Sequence, residues 1–211
     1  MKLFAHVLLL IFAGALLSQP SLAQSQTRAR TDAGREVTLF PDGTWKYADE
    51  AKPRPTSTLN YEKSATAKAM FQTKKGSFRF WYDETKWRLS RPDTTDEGKA
   101  QFRLIGEDGY AMIIAEGLAM PVDSLKELAI ENAKNAASDV KVVKEEKRIV
   151  NGKELLFMQL EGTLKGVPFT YYGYYYGGKE GAIQVIAYTG QNLRDKYKDE
   201  FTRFLNGLEI Y

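Results

Sequence analysis

Any chemistry in this chain would have to come from oxygen. Its 211 residues include no cysteine and a single histidine, His6, which sits in an N-terminal leader described below. Without that leader the chain offers neither a Ser-His-Asp nor a Cys-His pair. It also lacks the imidazole and thiolate ligands that zinc, copper and haem prefer. Acid–base work would fall to carboxylates: Asp83 and Glu84, Glu107 and Asp108, and Glu116. A paired-carboxylate hydrolase needs two such groups about 5–9 Å apart across a cleft, a pairing that sequence alone does not establish. Asp93, Asp96 and Glu97 cluster enough oxygen for a hard cation, but not at EF-hand spacing. Gly177-Gly178 joins two strands, whereas a phosphate loop opens a helix. The pattern thus assigns no catalytic residue, no metal and no cofactor.

The residues best suited to binding are aromatic. Tyr171-Tyr-Gly-Tyr-Tyr-Tyr176 reads as a strand. Alternation sends Tyr171 and Tyr175 to one face and Tyr172, Tyr174 and Tyr176 to the other. Tyrosine pairs an apolar ring with a polar tip, so Tyr172, Tyr174 and Tyr176 form a candidate binding strip if their face is the less covered one. Trp45 and Tyr47, sharing one face of an N-terminal hairpin, complete the candidate surface.

The leader is residues 1–23. Lys2 starts it, Val7–Leu17 is an unbroken apolar or small run, Pro20 ends any helix, and Ser21-Leu22-Ala23 offers small residues at a cleavage site. The apolar run is shorter than the roughly 20 residues a membrane span needs, and no later segment is long and apolar enough to span. The expectation is a cleaved signal, a mature start near Gln24, and a periplasmic or secreted location. With 30 Lys+Arg against 27 Asp+Glu, both signs interspersed, the chain shows no basic face for nucleic acid.

After the leader, residues 24–47 read as a small β-meander turning at Asp32-Ala33-Gly34 and Pro41-Asp42-Gly43, and 48–66, with Pro53 and Pro55, as a linker. The main domain is 67–211. Its first half carries Phe78–Tyr82, Trp87, and strands flanking a tight Asp108-Gly109 turn. Leu125, Leu128, Ala129, Ala133, Ala136 and Ala137 predict a helix, with Ser124 and Glu127 as a capping box. Four strands follow, turning at Asn151-Gly152, Lys165-Gly166 and Gly177-Gly178. A last helix buries Leu193, Tyr197, Phe201, Phe204, Leu205 and Leu208, with Gly207 at its C-terminal cap. Strands, helix, four-stranded meander and helix predict an α+β fold: a mostly antiparallel sheet covered by helices, an α/β/α sandwich, preceded by the small meander. A cystatin-like or NTF2-like domain is the alternative arrangement.

Two resemblances follow from these residues. Thr31-Asp-Ala-Gly-Arg-Glu-Val-Thr-Leu-Phe-Pro-Asp-Gly-Thr-Trp-Lys-Tyr47 resembles a hairpin element near the start of exported bacterial proteins. The order Phe78–Tyr82, Trp87, helix from Ser124, Asn151-Gly152 hairpin, aromatic strand Phe169–Tyr176 and closing helix resembles the PsbP-like fold family across most of 67–211. That resemblance implies the α/β/α sandwich and, since the family includes a photosystem accessory subunit and a nuclear-import factor, action by binding proteins. It implies no catalytic residues. The expected function is an exported, non-enzymatic accessory protein with an envelope protein as partner. The alternatives are a carboxylate-based glycan hydrolase and a small-molecule or lipid carrier with an apolar pocket of a few hundred Å³.

Overall fold

Long hairpins with residues in left-handed turns set the register of the main sheet. The computed structural model describes residues 27–30, 36–40, 45–47, 54–92 and 98–211; the leader 1–23 lies outside them. The chain divides into two units, Met1–Glu50 and Ala51–Tyr211. In the first, β1 (Thr27–Arg30), β2 (Glu36–Leu39) and β3 (Trp45–Tyr47) form an antiparallel meander in the order β1-β2-β3.

The second unit runs β4 (Thr56–Tyr61), β5 (Ala69–Gln72), β6 (Phe78–Tyr82), β7 (Trp87–Pro92), β8 (Lys99–Leu104), β9 (Tyr110–Glu116), α1 (Val122–Ala136), β10 (Lys141–Val150), β11 (Lys153–Leu164), β12 (Val167–Gly178), β13 (Gly181–Gly190), a 3-10 turn at Gln191–Leu193, α2 (Arg194–Leu205) and β14 (Leu208–Ile210). Eight strands form one sheet in the order β4-β10-β11-β12-β13-β9-β8-β7. It is antiparallel apart from β4, which lies parallel to β10 at one edge. The segment expected as a linker therefore contributes a strand. Arg54, just before it, is held by Asp123 of α1 and Glu145 of β10.

Asn151 and Gly152 turn β10 into β11 at φ 47° and 80°, and Lys165 and Gly166 turn β11 into β12 at 51° and 82°, both in the left-handed region that such two-residue turns demand. Two expected turns are displaced. The left-handed residue between β8 and β9 is Gly106, at φ 73°, not Gly109, and β12 continues through Gly177-Gly178 to turn at Lys179 and Glu180. Helix α1 starts at Val122, with Pro121 at the N-cap position and no side-chain cap hydrogen bond, so the capping box at Ser124 does not form.

Alternation along the long strands sends one set of side chains to each face. On one face, Leu156, Met158, Leu160, Tyr175, Ala182 and Ile186 pack with Leu125 and Ala129 of α1. On the other, Phe102, Phe157, Tyr172, Tyr174 and Val185 pack with Tyr197, Phe201, Phe204 and Leu205 of α2. Here the architecture departs from a sheet covered by helices alone. A three-stranded sheet, β14-β6-β5, shares the α2 side and sends Phe78, Phe80 and Leu208 into the same core. Phe204 sits 4.1 Å from Trp87 and 4.7 Å from Phe80, ring centre to ring centre. The last strand reaches back along the chain: Leu208 pairs with Phe80 and Ile210 with Phe78. Gly207 adopts no left-handed conformation. It is small because a Cβ there would run into the carbonyl oxygen of Trp81, whose N–H donates to the Gly207 carbonyl at 2.9 Å.

Candidate functional site

The tyrosine strip is core. Tyr172 and Tyr174 are 4% and 0% exposed, sharing one core with side chains of α2 and of the small sheet. Tyr174 donates to Asn206 Oδ1 at 2.9 Å and accepts from Arg148 at 3.3 Å. Burial pushes its hydroxyl up to about 12. Tyr176 is half-buried and donates to Glu180. Trp45 is half-buried in its own unit, and the side chain of Tyr47 lies outside the described residues.

Around Tyr174 runs a buried polar chain. The Arg148 guanidinium lies 3.5 Å from the Phe157 ring centre and 4.6 Å from that of Tyr61. It donates to Glu146 at 2.7 Å from Nε. Asn151 Nδ2 donates to the carbonyls of Asn206 and Leu208, each at 2.8 Å, and Asn151 Oδ1 accepts from the Lys63 N–H at 2.9 Å. Among the described residues no buried side-chain nitrogen or oxygen lacks a partner. A network so fully satisfied ties β4, β10 and β14 together.

The carboxylates are not arranged as an acid–base pair. Glu116 and Glu84 are exposed, and Glu116 pairs with Lys75 at 3.2 Å. Glu107 is taken by Lys196 at 2.6 Å and by the Tyr197 hydroxyl. Asp83 and Glu200 line one depression, but it holds about 20 Å³, room for a single water. Glu200 already accepts from Trp87 Nε1 at 3.0 Å and Lys86 at 2.9 Å. The Thr85 hydroxyl and N–H hold the Asp83 carboxyl below its usual range, the reverse of what a general acid needs. Asp93, Asp96 and Glu97 lie outside the described residues. Among those described, no group of three Asp, Glu, His or Cys side chains is placed to hold a metal ion.

What the structure does bring together is a row across the sheet. On the α1 side, the register sets Tyr171 of β12 opposite Tyr188 of β13, Tyr188 opposite Tyr110 of β9, Tyr110 opposite Arg103 of β8, and Arg103 opposite Arg88 of β7. At about 4.8 Å per strand the row covers roughly 19 Å. Tyr171 meets Tyr188 edge-on at 5.3 Å, Tyr188 stacks on Tyr110 at 5.6 Å and 24°, and the Arg103 guanidinium lies 5.7 Å from the Tyr110 ring. Tyr110 thus sits between Tyr188 on one neighbouring strand and Arg103 on the other.

The α1 helix packs on β12, and the outer end of this face is bare: Arg88 and Ser90 on β7 and Lys99, Gln101 and Arg103 on β8 are all exposed. Strands β7 and β8 carry Arg88, Arg91, Lys99 and Arg103 and no acid. Arg88 and Arg103 border an open depression of about 460 Å³ with Leu89, Ser90, Leu104, Ile105 and Gly106. Sequence reasoning missed this site. The signal available was the acid-free basic content of Trp87–Arg91 and Lys99–Arg103, but only the register shows that Arg88 and Arg103 face each other.

The chain matches no protein-family model and no curated protein. It is similar to several solved structures. The solution structure of cyanobacterial PsbP (CyanoP) from Synechocystis sp. PCC 6803 superposes with a TM-score of 0.50 and 13% identity, over 70% of this chain and 95% of that one. A Pseudomonas aeruginosa protein of unknown function, PA94, aligns with a TM-score of 0.47 and 9% identity over 68% of this chain and 96% of its own. LpqN of Mycobacterium tuberculosis, involved in cell envelope biogenesis, aligns at 0.35 and 9% over 88% and 90%. The fold is PsbP-like, an α+β arrangement with a large, mixed, mostly antiparallel sheet and two helices.

Proposed function

We propose that this chain is an exported, non-enzymatic accessory protein of the cell envelope that binds another envelope protein through the outer, β7–β8 end of its large sheet. Residues 1–23 are its cleaved leader, the mature protein is periplasmic or secreted, and the N-terminal meander carrying Trp45 and Tyr47 is a second contact. The large sheet with α1 and α2 is then the α/β/α sandwich of the family, with the small β14-β6-β5 sheet added on the α2 side.

The observation that carries this reading is the bare basic face of β7 and β8. A sheet face left open beside a helix-covered one, on which Arg88 and Arg103 stand exposed and opposite each other, is suited to a surface of complementary charge. The test is a photo-crosslinking residue at Gln101, on that face, compared with one at Lys134 on the exposed side of α1. A discrete adduct from position 101 that saturates with expression, and none from 134, supports the proposal. Equal or absent adducts at both positions reject it.

A further inference from the structure

We infer that Arg88 and Arg103 form a two-guanidinium clamp for carboxylates, and that the partner presents an acidic segment to it. This rests on the binding function proposed above and names the partner's chemistry. Like charges directly opposite each other on neighbouring strands destabilise a sheet, yet Arg88 and Arg103 hold that relation. Among the described residues, neither makes an ion pair. Lysines on β10, by contrast, are paired with carboxylates: Lys147 with Glu154 at 2.8 Å and Lys144 with Glu146 at 3.0 Å.

The Arg103 guanidinium also lies 5.7 Å from the Tyr110 ring centre, within cation–π reach, and Tyr110 stacks in turn on Tyr188. Two planar forks of N–H donors side by side fit oxyanions held bidentately. A second copy of this chain is a poor occupant, because the same face of the copy would bring Arg88 and Arg103, charges of the same sign, against the clamp.

The experiment titrates the full chain with fluorescein-labelled hexaglutamate, with inorganic phosphate as competitor and hexalysine as control. The expected result is hexaglutamate binding that weakens with salt and falls at least tenfold in R88Q/R103Q. K134Q should bind as the unsubstituted chain does, and hexalysine should not bind. The double variant should melt no lower than the unsubstituted chain, since it relieves a repulsion.

Equal loss in K134Q would show diffuse attraction and overturn the clamp. Phosphate binding that hexaglutamate cannot displace would overturn the acidic-segment partner. A fall of several degrees in melting temperature in R88Q/R103Q would show that the arginines serve the sheet and would likewise overturn it. If the Gln101 adduct persists undiminished in R88Q/R103Q, the clamp fails while the binding function stands. If hexaglutamate binds as expected but position 101 yields no adduct, the binding function fails by itself.

Discussion

Replacing Arg148 tests whether the buried polar chain holds the β4 edge in place. The Arg148 and Glu146 side chains are 8% and 12% exposed, so their pairing is little screened by water. Arg148→Met keeps much of the aliphatic packing and removes the charge. It loses charge-assisted hydrogen bonds to Glu146, each worth about 1.5–3 kcal/mol, and contacts with Phe157 and Tyr61 worth about 1–2 kcal/mol together. Two compensations limit the damage: Glu146 keeps Lys144 at 3.0 Å, and Tyr174 keeps Asn206. The net expectation is a loss of about 3 kcal/mol, or roughly 6–12 °C in Tm for a chain of this size.

Urea denaturation followed by tryptophan fluorescence measures that loss. Its pH dependence carries a second check. Burial pushes the Glu146 carboxyl up, but hydrogen bonds from Lys144 and Arg148 outweigh it and leave the group below its ordinary 4.5. A depressed carboxylate contributes stability above its unfolded pKa and loses it as pH falls through the folded value. The difference between the unsubstituted chain and Arg148→Met should therefore narrow as pH drops below about 4.5. A loss under about 1 kcal/mol, the range of an exposed ion pair, with no narrowing in acid, would refute the argument.

Three further outcomes follow from the geometry. Asn151→Ala removes three hydrogen bonds and a favourable left-handed residue and should cost about 3 kcal/mol; Lys165→Asn, at the equivalent turn without those bonds, should gain about 0.5–1 kcal/mol, both read by urea midpoints. Gly207→Ala forces a Cβ against the Trp81 carbonyl and should cost at least about 3 kcal/mol by separating β14 from β6, seen as early loss of amide protection at Trp81. On the alkaline side, Tyr174 and Tyr176 are each pushed up to about 12 from an ordinary 10, both chiefly by burial. A raised folded pKa means stability is complete below pH 10 and is lost between about 10 and 12, so denaturation midpoints should fall there while phenolate absorbance lags behind that of the unfolded chain.

The element order was legible because it is written in local signals. The Asn151-Gly152 and Lys165-Gly166 turns and the alternation of Tyr171 through Tyr176 each depend on neighbours within a few residues. The small β14-β6-β5 sheet was not legible: Phe78–Tyr82 reads as a strand, but nothing local says that its partners are Ala69–Gln72 and the three residues at Leu208. That omission also left open how Tyr172 and Tyr174 are covered, since they share a core with Phe78 and Phe80 of the small sheet. Thr56–Tyr61 hid behind Pro53 and Pro55, its pairing to β10 being parallel and distant. The row ending in Arg103 and Arg88 depends on four registers, one of them with an irregularity between Leu89 and Arg91, and no single window of sequence contains it.

The pairing of Leu208–Ile210 with Phe78–Phe80 also sets a clock. Phe78 and Phe80 are fully buried, yet the strand that completes their sheet lies about 130 residues further along the chain. Until that strand docks, the β6 edge it pairs with stays open. Closing so distant a pair is slow relative to forming the β10–β13 hairpins. A folding chain in which β14 is still unpaired therefore exposes apolar surface and a strand edge, the features that make partly folded chains prone to aggregate.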